Sequence, residues 1–319
     1  MTNKNISIKS FDVDLVYLWV NGNDPVWREK RNATIGMTHE DSSVNCEGRY
    51  ADNDELKYNL RAAEMYAPWI RRIFIVTDNQ APQWLDSSNP KIRIVDHTEI
   101  MPPEALPTFN SSVIEHFIHL IPDLSEHFLY ANDDMFINRP VDKSDFFGDD
   151  GKPIIRVIRR PFRKFWFEFS AKVLNKPHSY YNRTLHRAAL LIRRQYGKYY
   201  NSKPHHNIDA YCKSDYRHAA EVFKDDIAPV ITNHGRSDND IQRQLYLNVA
   251  RAEKKGHLVH VTDRTSYRFH IERPHFERLE KFNPMLFCMN DSEYATDADR
   301  LRVKEYLSHR FPEKSQFEK

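Results

Sequence analysis

Asp14-Leu15-Val16-Tyr17-Leu18-Trp19-Val20-Asn21-Gly22-Asn23-Asp24-Pro25 is the stretch on which the reading of the fold turns. Residues 13–20 form an apolar, β-branched and aromatic run that stops at a cluster of turn formers, which predicts a buried strand ending in a loop. Three further runs read the same way. Residues 73–76 lead into Thr77-Asp78-Asn79, residues 92–95 form the next, and residues 128–130 run into Asn132-Asp133-Asp134. Helical spacing lies between them. Residues 54–66 place Leu56, Leu60, Ala63 and Met65 near one face, and Asn110 or Ser111 can cap a helix running to about Leu120. Strands alternating with helices predict an α/β fold with a Rossmann-like, largely parallel sheet. Ligand groups gather at the carboxyl ends of such strands, where Asp24, Asp78, Asp133 and Asp134 follow them.

The second half reads as mostly helical from 183 to 250, with 185–196 and 238–250 the clearest helices. Residues 257–261 and 265–271 read as short strands and 295–309 as a terminal helix. Gly148-Asp149-Asp150-Gly151-Lys152-Pro153 is the best boundary, although a surface loop would look the same. It divides a donor- and metal-binding core, 1–150, from a part, 151–319, that completes the same catalytic unit and binds the acceptor.

Composition narrows the class. The 319 residues are 40% hydrophobic, enough for a sizeable core, and the formal charge of +2 creates no global field for nucleic acid. Cys46, Cys212 and Cys288 are odd in number and form no CxxC pair, which excludes a disulfide framework and fits a reducing compartment. No run of about 18 apolar residues spans a membrane, and the N-terminus lacks the apolar core of a signal peptide. The expectation is a soluble cytoplasmic protein. With eight glycines and no GxGxxG or GxxxxGK[ST], glycine-loop phosphate binding is disfavoured.

Adjacent carboxylates Asp133 and Asp134 just past a strand supply hard oxygen ligands for Mg²⁺ or Mn²⁺, although a solvated acidic turn would look alike. Arg49-Tyr50-Ala51-Asp52-Asn53-Asp54-Glu55 precedes a helix carrying Arg61. Arg49 and Arg61 are candidate phosphate forks, while Asp52 or Asn53 with Glu55 would also make a plain capping box. Lys203-Pro204-His205-His206-Asn207-Ile208-Asp209 offers a metal ligand or a general base, with the two histidines pointing apart. Arg236 to Gln242 reads as the opening of a helix with Ser237 or Asp238 as its cap, a place suited to a phosphate. Asp291 closes the run Phe287-Cys288-Met289-Asn290, another strand-to-loop ending. Residues 154–174 interleave Arg156, Arg159, Arg160, Arg163 and Lys164 with Phe162, Phe165, Trp166, Phe167 and Phe169. They form either a core strand and helix with solvated cations, or a surface for anionic lipid or a phosphate-bearing acceptor.

In this order the blocks resemble the Stealth family. The first, from Asp14 to Pro25, is similar to the family's DVVYTWVDGSDP. The second contains RYADNDELKYNLRAAEMYAPWIRRIFIVTDNQAPQWL and LPTFNSSVIEHFIHLIPDLSEHFLYANDDMF, the third runs from His205/His206 to Arg236-x-x-x-Asp240-x-Gln242, and the fourth ends in Asp291. The resemblance implies bacterial capsule phosphotransferases and the lysosomal-enzyme GlcNAc-1-phosphotransferase of animals. It implies transfer of a sugar-1-phosphate from a UDP-sugar to a hydroxyl of a growing surface polysaccharide or lipid-linked oligosaccharide, with release of UMP. A metal-dependent glycosyltransferase releasing UDP is the alternative, and a vestigial polysaccharide-binding module a third.

Matched by position, the resemblance implies catalytic roles for Asp14, His206, Arg236 and Asp291 and metal binding by Asp133 and Asp134. It implies substrate contacts from Trp19, Asn21, Gly22, Asp24, Arg49, Asp52, Asn53, Arg61, Asn132 and Asp240. His205 and His206 offer two registers, of which HNID favours His206. Leu18 and Asn21 stand where many bacterial members have Thr and Asp. The implied cofactor is Mg²⁺ or Mn²⁺, and a peripheral contact with the inner face of the plasma membrane joins the expected partners, with no nucleic acid.

Overall fold

The computed structural model describes residues 11–36, 48 and 50–319; Arg49 and Cys46 lie outside them. Among the described residues eleven strands follow in chain order, interleaved with helices: β1 (Val13–Leu18), β2 (Ile73–Thr77), β3 (Ile92–Asp96), β4 (His127–Asn132), β5 (Met135–Ile137), β6 (Ile154–Ile158), β7 (Lys203–Pro204), β8 (Asp209–Cys212), β9 (His257–His260), β10 (Ser266–His270) and β11 (Leu286–Asn290). The principal sheet has the order β3-β2-β1-β4-β8, parallel throughout except for the antiparallel edge strand β8. All four expected strands of the first half are present.

Strand β1 is buried along its whole length because both faces of the sheet are covered. Its alternate residues feed two layers. Val16 and Leu18 join Phe74, Phe128 and Tyr130 beneath helices Tyr180–Tyr196 and Gln244–Ala252. Val13, Leu15 and Tyr17 join Ile73, Ile75 and Leu129 beneath helix Glu55–Tyr66, which contributes Leu56, Leu60 and Ala63. Met65 of that helix is exposed. Helices of the second half thus cover a sheet built mainly by the first, and β5 pairs with β11 in a second sheet, β10-β11-β5. The expected boundary at 148–153 is a tight loop closed by Gly148 N–H to Lys152 O (2.9 Å) and Gly151 N–H to Gly148 O (2.8 Å).

Three expectations are corrected. The stretch 183–250 is not wholly helical, since it carries β7 and β8, while the strands expected at 257–261 and 265–271 are present as β9 and β10. Residues 111–120 are not one helix, because Asn110 caps only Ser111–Ile114. Beyond it Glu115 and His116 turn inward to hydrogen-bond with Tyr130 and Tyr246. Residues 236–243 do not open a helix, for the helix begins at Gln244. The Asp240 carboxylate instead gathers Ser237 N–H, Asn110, Asn233 and Tyr180 around itself and holds this stretch as turns. Among the described residues, no helix is long and apolar enough to cross a membrane.

Asp14 sits at the amino end of β1, the end away from the strand termini that carry Trp19 and Asp133. It is fully buried, and its carboxylate accepts from both arms of the Arg71 fork (2.9 and 2.6 Å), from Arg72 N–H (3.2 Å) and from Ser125 N–H (2.7 Å). These bonds pin the starts of β1, β2 and β4 together, so Asp14 is corrected from a catalytic to a structural acid. Asp14→Ala should lose roughly 2–3 kcal/mol in urea unfolding, discounted because Arg71 is one-third exposed, while turnover per folded molecule is kept. A stable but inactive variant would restore the catalytic assignment.

Candidate active site

The register of the sheet builds the site. Leu18 is paired with Val76 on β2 and with Asn132 on β4, so the residues after these strands emerge along one rim. The chain turns from β1 toward β2 and β3 on one side and reaches β4 on the other, and ligands enter α/β sheets at such a switch point. A cleft of about 560 Å³ opens there, lined by Trp19, Asp78, Asn132, Asp133 and Asp134 from the sheet, with Glu55, Glu115, Tyr180, Tyr181, His206, Arg236, Arg243, Arg268, Asn290 and Asp291 around it.

The two-residue turn after Asn132 throws Asp133 and Asp134 into this cleft before β5 begins. β5 pairs antiparallel with β11, which brings Met289 N–H onto Asp134 O (3.1 Å) and sets Asn290 and Asp291 beside the acids. Asp134 Oδ2 accepts from Asn290 Nδ2 at 2.9 Å and from the Cys288 thiol at 3.3 Å. Burial, then the nearby carboxyls of Glu55, Asp134 and Asp52, holds the Asp133 carboxyl well above the usual range. Glu55 is pushed up to about 8, first by burial, with Asp52 adding to it. Three acids thus crowd one wall. Asp134, His206 and Cys288 also bring one ligand atom each within 4.8 Å of one another.

The two histidines diverge at a turn between β7 and β8. His206 has a left-handed backbone, φ 57°, which sends its side chain away from that of its neighbour. His205 is buried, hydrogen-bonded to Ser266 Oγ (2.9 Å) and Asp209 Oδ1 (3.1 Å), and burial lowers its pKa. His206 lines the cleft with Nε2 3.0 Å from Asn290 Nδ2, its ring edge-on to Tyr181. Across the cleft, Arg236 donates to Ser111 Oγ at 3.2 Å and lies over the Tyr180 ring. Behind it Arg243 is buried between Glu115 (3.3 Å) and Asp209 (2.9 Å), with the Tyr130 ring 4.6 Å from its guanidinium.

Of the residues singled out in the sequence, Trp19, Asn132, Asp133, Asp134, His206, Arg236 and Asp291 come together in the cleft. Asp291 is also gripped by Arg300 at 2.8 and 3.3 Å. The other described ones make structural contacts. Arg61 is no phosphate fork, since it locks Glu318 (2.7 Å by each arm) and two carbonyls of the C-terminal segment. Asp240 is buried with the four donors described above. Asp24 caps helix Pro25–Ile35 by accepting from Val26 N–H at 2.9 Å. Gln80 bridges Asn21 and Asp24. Gly22 lies so close to Tyr50 that a Cβ would meet its carbonyl oxygen at 2.3 Å. Asn53 bonds to Glu55 through both its N–H and its amide (2.7 Å each), while Asp54 stands at the N-cap position with its side chain turned to Lys304 and not capping the helix, so no capping box forms. Asp52 accepts from Asp54 N–H at 3.0 Å, and burial raises its pKa.

Sequence reasoning missed Glu115, Arg243, Asn290, Arg268 and the Tyr180–Tyr181 pair. Glu115 inside the apolar run Val113-Ile114-Glu115-His116-Phe117-Ile118 was the available signal, because a charge there demands a buried partner.

Comparison with known proteins identifies the family. Residues 11–38 match conserved region 1 of the Stealth proteins, and residues 49–155 match conserved region 2. The capsular polysaccharide phosphotransferase LcbA of Aeromonas hydrophila is 33% identical over 95% of this chain and 85% of its own length. The capsular polysaccharide phosphotransferase fcs1 of Haemophilus influenzae is also 33% identical, over 88% of this chain and 78% of its own. An exopolysaccharide phosphotransferase of Streptomyces coelicolor is 54% identical over 142 residues, 44% of this chain but only 24% of that longer protein. The solved galactosyltransferase LgtC overlaps 95% of this chain and 98% of its own at 11% identity and a TM-score of 0.42, too low to bear on the chemistry. With an acid-lined cleft at the switch point and relatives matched nearly end to end, the chain belongs to the Stealth family of polysaccharide phosphotransferases.

Proposed function

We propose that this cleft transfers a hexose- or N-acetylhexosamine-1-phosphate from a UDP-sugar to a hydroxyl of a growing capsular or exopolysaccharide. The observation that carries the reading is Asn290, whose amide lies 2.9 Å from Asp134 and 3.0 Å from His206. It joins a carboxylate suited to a cation with an imidazole suited to a proton. The relatives named as capsular polysaccharide phosphotransferases supply the reaction class.

The carboxyls of Asp133 and Asp134 suit a hard divalent cation, because burial and the neighbouring carboxyls disfavour the charged form of Asp133 unless a cation offsets it. Mg²⁺ or Mn²⁺ held by them would neutralise the donor's diphosphate oxygens. Arg236 faces the transferring phosphoryl group, and Glu115 and Asp209 fix Arg243 behind it. The acceptor oxygen attacks the β-phosphorus, the bond from that phosphorus to the bridging oxygen breaks, and UMP leaves. The hydroxyl proton passes to Nε2 of His206 once substrate replaces its contact with Asn290. Positioning and electrostatics supply most of the acceleration in such transfers.

A UDP-sugar labelled with ³²P at the β position should deliver its label to the polymer and release UMP. Label retained wholly in UDP, with an unphosphorylated product, would assign glycosyl transfer instead.

His206→Ala should lower kcat by about 10²–10⁴ with donor affinity little changed. His205→Ala, which removes a buried partner of Asp209, should mainly cost about 1–3 kcal/mol of stability. Steady-state kinetics beside urea unfolding separates the two, and the reverse ranking would give the base to His205.

Asp134→Asn should fold normally by circular dichroism yet turn over very little, and EDTA should silence the parent protein. Full activity in excess EDTA would remove the cation from the reaction.

A further inference from the structure

The segment from Arg159 to Lys176 takes no part in this chemistry. Its helix, Arg163–Lys172, has no buried residue although it carries four aromatic side chains. The inward side is modest. Arg163 donates to the carbonyls of Tyr200 and Asn201, Phe167 stacks on His178 (3.8 Å) and His186 (4.1 Å), and Ser170 hydrogen-bonds with His178. These anchors recur at helical spacing and define one face.

Phe162, Phe165, Trp166, Phe169 and Val173 recur on the other face. Phe162 is 69% exposed, Phe165 58%, Trp166 59% and Val173 65%, with Leu174 at 57% just beyond the helix. Phe165 and Phe169 stack at 5.8 Å, and Trp166 stands edge-on to both. Single exposed apolar residues are ordinary, whereas this many in thirteen residues form a patch with a purpose. The charge around it is mainly positive. Residues 159–176 contain six cations and a single acid, Glu168, which pairs with Lys164 at 3.6 Å. Arg159, Arg160, Lys172 and Lys176 are exposed at the two ends of the patch.

We propose that this face docks the protein onto an anionic lipid bilayer. Aromatic and aliphatic side chains enter the boundary between headgroups and acyl chains, and the flanking cations meet lipid phosphates. An acidic polysaccharide is the weaker occupant, because Phe162, Val173 and Leu174 offer it no hydrogen bond. Ser179, Tyr180 and Tyr181, which follow directly, line the cleft. Docking therefore holds the cleft beside the bilayer surface. The docking is independent of which bond the cleft breaks.

Co-sedimentation of the full chain with vesicles tests it. Vesicles of equal parts phosphatidylcholine and phosphatidylglycerol should bind the protein, and vesicles of phosphatidylcholine alone should bind it far less. The pairs Phe165→Ser with Trp166→Ser, and Arg159→Glu with Arg160→Glu, should each cut the partition coefficient at least about tenfold. Their thermal unfolding should match the parent, since the altered side chains are exposed. Brominated lipid should quench tryptophan fluorescence in the parent and much less in Trp166→Phe, a change small enough to leave folding intact. Equal binding to both vesicle types, or variants that sediment like the parent, would overturn the proposal. So would retention on a soluble glycerol-phosphate polymer without vesicle binding, which would give the face to an acceptor chain.

Discussion

Parallel pairing of β1 with β2 on one side and β4 on the other is the constraint from which the rest of the structure follows. It sets Leu18 level with Val76 and Asn132, so that three strands end on one rim and their following loops diverge around an opening. Side chains alternate along a strand, so a slip of one residue would exchange Val16 and Leu18 with Leu15 and Tyr17 between the two covered faces. The burial that stabilises the sheet therefore also fixes where the cleft acids stand. At the far end Asp14 closes the same register, tying the start of β1 to the residues that lead into β2 and β4 through one carboxylate.

Around the opening, Glu55, Asp133 and Asp134 crowd together, and Arg236, Arg243 and Arg268 also line the cleft. Concentrating like charges in a half-buried place is costly, as the raised carboxyls of Glu55 and Asp133 show. Sites that must accept both a cation and phosphate oxygens carry that cost in the absence of ligand. Arg243 is the exception on the basic side. Glu115 and Asp209 already balance it, which makes it a fixed support rather than a mobile clamp.

The sequence revealed the first half of the fold because parallel strands covered on both faces are written as unbroken apolar runs. It concealed β7 and β8 for an equally physical reason. β7 is two residues long and includes a proline, and β8 is four residues long and begins with a buried acid, so neither carries a long apolar signature. Asp133, Asp134, His206, Arg236 and Asp291, singled out by residue type and by the family resemblance, line the cleft. Asp14, Arg61 and Asp240, singled out in the same way, are instead held by partners 57, 257 and 130 residues away. Residue type and neighbourhood are identical for an acid that holds strands together and one that faces a substrate. Only the distant donors tell them apart.

That distinction reduces to charge balance. The neighbours of Asp14 are a guanidinium and two backbone N–H groups, and those of Asp240 are two amides, a phenol and a backbone N–H. Each is compensated by the fold itself, and a ligand would have to break bonds to reach it. The neighbours of Asp133 are chiefly other carboxyls. There the fold leaves the balance open, and protons or a cation must close it. Asn290 stands at that open edge and donates to Asp134, with His206 within the same reach. A buried amide can hold an acid and an imidazole at fixed spacing without adding charge of its own, whereas a lysine or arginine in its place would neutralise the wall that the acids create.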